Sequence, residues 1–383
     1  MKRIAYIIGI VVIGLSVTVF SCMAQELSDY KYSETKDLVS LVRDASAVIA
    51  AKGEAAFPEF KKEGSQWRHG KVYIFVLNTD GDLVVHPDPV LEGKNQIGIK
   101  SVNGKPIIKG IIEATASDSN KNEGWYFYQW PEPGTIFSAW KSTFAKRVVA
   151  SSGKAYVVCS GVYNPKVEDI FLINAVDAAV ALIEKKGTAA FDTLRDKTSQ
   201  FVFLGTYIFV DTPKGVEVVN GGFPDIEGKN ILNYKDYDGT YLTREIIDIA
   251  TKKGSGWVDY LWPKPGEIKP SRKHTYVRKA VYGDSVFAVG AGSYPEDESA
   301  APKADAVDIS GQFAILELKD GDLAAGNITR ETVDSVFLTN DGGSTEVSFP
   351  RDRVAKIRKP TDEELKKIKE GLVEGSRHPV QKL

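Results

Sequence analysis

The chain is poor in the residues that build disulfide scaffolds, metal centres and nucleic-acid surfaces. Only two of its 383 residues are cysteine, Cys22 and Cys159. That excludes a disulfide framework and a CxxC metal or redox pair. The four histidines, His69, His86, His274 and His378, are scattered, with no HxxxH or HxH pair among them. Forty-nine basic residues against 51 acidic ones leave a formal charge of −2, so no global basic field draws nucleic acid. No nucleophile elbow, GxGxxG turn after a strand, HExxH or Walker loop occurs. Asn220-Gly221-Gly222 lacks the Lys and Ser/Thr that complete a phosphate cradle. The acidic residues sit at expected turns and helix faces, where they read as solvated. The expectation is a protein without catalytic residues, metal or cofactor.

What is present is ordinary for a folded protein: 43% hydrophobic and 26% charged residues. The length predicts about two or three domains. Met1-Lys2-Arg3 makes a basic start, Ile4–Phe20 is an unbroken run of apolar or small residues, and Ser21, Cys22 and Ala24 follow. This is the layout of a bacterial export signal, which places the body outside the cytoplasm, in the periplasm or cell envelope. Three outcomes compete at its end. Val19-Phe20-Ser21-Cys22 resembles a lipobox, which would lipidate Cys22 and anchor the chain. Cleavage after Ala24 would release it, and retention would leave a signal anchor at the short end of bilayer-spanning length. Cys159, in the strand-like run AYVVCSGVY, reads as a small buried hydrophobe.

The organisation is a long internal repeat. GWYFYQWPEPG at 124–134 and GWVDYLWPKPG at 256–266 share seven of eleven positions. AAKGEAAF (50–57) answers KKGTAAF (185–191), KVYIFV (71–76) answers TYIFV (206–210), and LEGKN (91–95) answers IEGKN (226–230). KSTFAKRV (141–148) pairs with KHTYVRKA (273–280), and CSGVY (159–163) with GAGSY (290–294). The offset stays between 131 and 135 residues, so each unit is a whole domain and not a solenoid turn. Each opens with an amphipathic helix, marked by Leu38, Leu41, Val42, Ala45, Val48 and Ile49, then by Ile173, Val176, Val180 and Ile183. A short helix follows at Ala56–Lys62 and Ala189–Arg195. A strand and turn come next, Val72–Leu77 and Tyr207–Val210. Ile107–Ala114 and Thr243–Ala250 read as helices, and three further strands close each unit.

In this order the elements YIFV, EGKN, helix, GW…W–P…G, KxT[FY] and GxxxY resemble the Cache domain of bacterial extracytoplasmic sensors, in its single-module form. The resemblance covers roughly Ser40–Pro295. It implies an α+β fold, two tandem PAS-like Cache modules each with a long helix and an antiparallel sheet, and a pocket on one sheet face for a small molecule, often a short carboxylate. The domain division is an export signal at 1–24, modules at 30–165 and 166–297, and a linker at 298–309. A segment at 310–358 resembles a five-stranded Sm-like or SH3-like small β-barrel. A capping box at Thr361-Asp362-Glu363-Glu364 opens a helix and tail at 360–383.

A small carboxylate needs a cation or N–H groups and apolar walls that exclude water. Alternation puts His274, Tyr276 and Arg278 on one strand face and Lys273, Thr275 and Lys279 on the other. In the first unit the matching set is Ser142, Phe144 and Lys146. Tyr128 and Trp130 share a face opposite Trp125. Trp130 and Trp262, directly before proline, read as packing residues that end a strand, and His86 as a turn residue and not a metal ligand. The candidate ligand-binding set is Tyr73, Trp125, Tyr128, Lys146, Tyr207, Trp257, Tyr260, Tyr276 and Arg278. Arg278 leads it for its planar fork. The two units differ, with His86-Pro87 in one and Gly221-Gly222 in the other, so one shared ligand is not expected. The reading is an extracytoplasmic binding or sensory protein for a small organic anion, acting with an envelope or receptor partner and held by a lipid or signal anchor. The alternative is a structural envelope protein with vestigial pockets.

Overall fold

The computed structural model describes residues 25–116, 122–131, 138–265 and 270–295, then 313–319, 323–331, 335–339, 346–358 and 361. The export signal with Cys22, the linker at 298–309 and the C-terminal helix lie outside them. The first module opens with α1, Ser33–Lys52, whose buried Leu38, Val42, Ala45 and Ile49 recur every three or four residues and so line one face. The helix ends at Gly53, where the backbone turns to φ 60°, a conformation that glycine adopts without a Cβ clash.

After α2, Phe57–Lys61, come β1 (Arg68–His69), β2 (Val72–Tyr73), β3 (Phe75–Asn78) and β4 (Leu83–Val85). Then follow α3 (Ile107–Ala114), β5 (Glu123–Pro131), β6 (Ser138–Val149) and β7 (Ala155–Tyr163). β1 and β2 form a small hairpin of their own. The strand expected across Val72–Leu77 is therefore broken at Ile74, and only its second half joins the main antiparallel sheet, ordered β4-β3-β7-β6-β5.

The second module repeats this plan with α4 (Asp169–Lys186), α5 (Phe191–Arg195), β8 (Ile208–Asp211), β9 (Glu217–Asn220) and α6 (Leu242–Asp248). β10 (Ser255–Pro263), β11 (Pro270–Tyr282) and β12 (Ser285–Ser293) complete it in the order β9-β8-β12-β11-β10. The repeat in sequence is thus a repeat of topology. In both modules the sheet is covered twice, the long helix packing on one face and the short α3 or α6 on the other. Phe127, Phe144 and Val158 join the α1 core, whereas Phe75, Tyr128 and Ala145 join the α3 core. In the second module Ile208, Val210 and Val289 face α4, and Phe209, Val258 and Val277 face α6. Two apolar faces per sheet explain why both tryptophans of GW…W are accommodated. Cys159 is fully buried in the middle strand β7.

The modules are joined by more than the chain. Glu168, at the start of α4 and fully buried, accepts hydrogen bonds from the backbone N–H groups of Lys31 (2.6 Å) and Tyr32 (3.1 Å). Lys105 Nζ donates to Phe127 O (3.0 Å) in the first module and to Val202 O (2.7 Å) in the second. Phe127 stacks on Phe203 with ring centroids 4.4 Å apart.

A third sheet holds β13 (Phe313–Leu318), β14 (Leu323–Glu331), β15 (Ser335–Thr339), β16 (Glu346–Pro350) and β17 (Val354–Arg358), ordered β16-β15-β14-β13-β17. All five expected strands are present. Among the described residues their pairings form an open antiparallel ladder, with no pair joining β16 to β17. Among the described residues no helix is long and apolar enough to cross a membrane.

Candidate functional site

Each module buries one lysine at the same place. The K-x-T step opens the long hairpin strand, and alternation turns Lys141, Thr143 and Ala145 toward α3 and their neighbours Ser142, Phe144 and Lys146 toward α1. Lys141 is 1% exposed, and so is its counterpart Lys273 on β11. An ammonium removed from water requires partners, and those of Lys141 are aromatic. Its Nζ donates to Tyr73 Oη at 2.6 Å and lies 4.2, 5.3 and 5.0 Å from the ring centres of Tyr73, Phe75 and Tyr163. Among the described residues no carboxylate pairs with it.

This lysine sits at the wall of a cavity of about 30 Å³, lined by Tyr73, His86, Leu91, Ile107, Tyr128 and Trp130 among others. Tyr128 Oη accepts from Thr143 Oγ1 at 3.0 Å, and Tyr73 Oη accepts from the lysine. Both phenols therefore keep an O–H to give. His86 packs edge-on against Tyr73 and Phe75. Burial and the neighbouring Lys141 charge lower its pKa to about 4, so it is neutral at physiological pH. The site combines one cation, two phenol donors and apolar walls.

The second module has a matching cavity of about 20 Å³ under α6. Lys273 Nζ donates to Tyr207 Oη at 2.8 Å and lies 4.0 Å from that ring's centre. Tyr260 Oη accepts from Thr275 Oγ1 at 3.2 Å. Burial lowers the Lys273 pKa to about 7. Its polar lining differs from that of the first module, for Asp211, Glu217, Asn220 and Thr243 all reach it. These acids are 1% and 3% exposed, against the expectation that turn acids are solvated.

Of the nine candidate residues, Tyr73, Tyr128, Tyr207 and Tyr260 line the two cavities. The other five are on the long-helix faces. Lys146 donates to Glu123 at 2.6 Å, and Arg43 of α1 binds the same carboxylate. Arg278 pairs with Asp177 of α4 at 2.6 Å, with both side chains partly in water. Trp257 stacks flat on His274 at 4.4 Å and tilts against Tyr276. Trp125 donates its indole N–H to Tyr30 Oη at 2.9 Å. It borders a wider cleft of about 300 Å³ between the modules, walled by Phe127, Phe171 and Phe203. The one carboxylate there, Glu123, already carries both of its cations.

Alternation thus divides the candidate set between the two sheet faces, with Lys141 and Lys273 on the cavity face and Lys146 and Arg278 on the long-helix face. Lys141, Lys273 and His86 were missed, and Trp130 and Trp262, read as packing residues, border the cavities. The available signal was that K-x-T stands in both copies, whereas Arg278 and Lys146 differ between them.

A family model described as "Cache domain" matches residues 62–168 and 183–320, together well over half of the chain. The methyl-accepting chemotaxis protein McpP of Pseudomonas putida is 27% identical over 131 residues, which is 33% of this chain and 24% of that protein. The matched part thus spans about a quarter of that relative's length. A solved periplasmic sensor domain of a chemotaxis protein is 28% identical, with a TM-score of 0.27, over 32% of this chain and 86% of that one. A Cache chemosensory domain solved to explain carboxylic acid recognition is 23% identical with a TM-score of 0.27, over 34% and 99% of the respective chains. The ligand-binding domain of the amino-acid chemoreceptor PctB from Pseudomonas aeruginosa PAO1 is 11% identical with a TM-score of 0.25, over 69% and 88%.

Proposed function

Because the chain belongs to the Cache domain family, we propose that it is an extracytoplasmic ligand-binding sensor whose first module takes a short organic carboxylate. One observation carries the reading: the buried ammonium of Lys141 faces a cavity together with two phenol O–H groups and no protein carboxylate. In that low-dielectric setting a ligand carboxylate completes the ion pair, and Tyr73 and Tyr128 fix its second oxygen. His86, neutral beside the lysine, adds apolar wall and a directional ring nitrogen without a competing charge. A cavity of about 30 Å³ is the space of one or two waters, so the favoured ligands are short, with acetate and propionate at the head. The chain would act outside the cytoplasm, tethered through lipidated Cys22 or free after cleavage, and report occupancy to a receptor or envelope partner.

The test is a thermal-shift and calorimetric screen of acetate, propionate and pyruvate. Saturable stabilisation is expected in the wild type, weakened about tenfold or more in Lys141→Met, which keeps the stem and removes the charge. If the screen moves nothing, or if Lys141→Met binds carboxylates as the wild type does, the reading fails in favour of a structural envelope role.

A further inference from the structure

The two cavities differ at one hairpin. β3–β4 and β8–β9 superpose in sequence through their turn glycines, Gly81 and Gly215. In the first module the cross-strand pair is Leu77 with Leu83, and in the second it is Asp211 with Glu217. All four side chains are buried. Around the same space Ile108 becomes Thr243 and His86 becomes Asn220. An apolar patch has been rebuilt as a cluster of acceptors.

The hydrogen-bond count there does not close. Asn220 Nδ2 donates to Glu217 Oε1, and the ammonium of Lys273 is engaged with Tyr207. Among the described residues Asp211 Oδ1 and Thr243 Oγ1 are buried without any partner, although both residues line the cavity. A buried acceptor without a donor is costly, and a carboxylate more so. Two acids face one lysine there, so with both ionised their charge exceeds that of the lysine by one. What is missing is a donor with positive charge.

We propose that the second module binds a small molecule bearing a protonated primary amine, seated among Asp211, Glu217 and Thr243. An ammonium offers three N–H bonds, and the two carboxylates and the Thr243 hydroxyl supply three acceptors. Lys273 lines the same cavity, whose volume of about 20 Å³ is the space of about one water and keeps the class to the smallest amines. Burial pushes both acids up, Asp211 to about 7, and a cation between them favours their ionised forms. The inference shares with the function proposed above only that these cavities are ligand sites. The two modules then read different chemistry, a carboxylate in the first and an amine in the second.

Calorimetry on the whole protein with ethylamine and sodium propionate separates the two. Ethylamine should bind the wild type and Lys141→Met alike. Asp211→Asn should weaken that binding about tenfold or more. Asp211→Leu/Glu217→Leu should abolish it while propionate binding at the first module stays unchanged. The double variant restores the leucine pair that the first module already packs, and its melting temperature, expected to equal or exceed the wild type, reports that it folds. If ethylamine does not bind, or binds the double variant as well as the wild type, the proposal is overturned. Loss of propionate binding alone, with amine binding intact, overturns only the carboxylate reading.

Discussion

Lys105 gives the sharpest quantitative test of how the modules are held together. It is fully buried, and its ammonium donates to the carbonyls of Phe127 and Val202 and lies 5.6 Å from the ring centres of Tyr126 and Trp140, with the Asp196 charge acting on it as well. Burial lowers its pKa to about 7, against about 10.4 in an unfolded chain. Between those values the unfolded chain holds a proton that the folded one has lost, so stability rises with pH across the window. A gap of about 3.4 units at about 1.4 kcal/mol each means that the buried charge costs on the order of 5 kcal/mol below pH 7. Lys105→Met removes that cost but orphans two carbonyls, at about 1–3 kcal/mol apiece. The variant should therefore lie within about 2 kcal/mol of wild type near neutrality and fall behind by a further ~3 kcal/mol by about pH 9.5. Urea unfolding of both proteins at several pH values measures the difference, in which Lys273 and all other titrating groups cancel. A difference that stays constant from about pH 7 to pH 9.5 would refute the reasoning.

Two further outcomes follow from the helix-side charges. Burial opposes ionisation of Glu123, yet hydrogen bonds from Arg43 and Lys146 hold its carboxyl below the usual range. Glu123→Gln should destabilise by about 2–3 kcal/mol, less than a fully buried pair because both cations reach water. That loss should be full above the ordinary carboxylate pKa and vanish as pH falls through the folded one, as acid titration of the two melting curves will reveal. Arg278→Ala removes only a half-exposed pair with Asp177. It should change stability by less than about 1 kcal/mol and leave ligand-induced shifts as in wild type; a lost ligand response would return Arg278 to the binding site.

Much of the scaffold was legible because it is periodic. The spacing of Leu38, Val42, Ala45 and Ile49 identified the face of α1, and the collinear repeat predicted that both modules share one topology. Strand alternation also sorted Lys273 from Arg278 and Tyr128 from Trp125. It could not say which sheet face holds the cavity, because both faces are apolar and both are covered by helices. General expectation favoured the other cations, since lysine is rarely buried and guanidinium is the better carboxylate clamp. Lys141 is buried because Tyr73, Phe75 and Tyr163 form an aromatic wall about it, drawn from β2, β3 and β7. Asp211 and Glu217 were misjudged for the same reason. Beside a turn glycine acids are ordinarily wet, and only the third dimension places α6 over them.

The bonds from the N–H groups of Lys31 and Tyr32 to Glu168 tie the start of α1 to the start of α4. Tyr163, which ends β7 and touches Lys141, is five residues before that glutamate in sequence. From there α4 runs forward into the second module, while α1 begins directly after the bonded Tyr32 of the first. A shift of β7 at the first cavity would therefore meet the first turns of both long helices at one point.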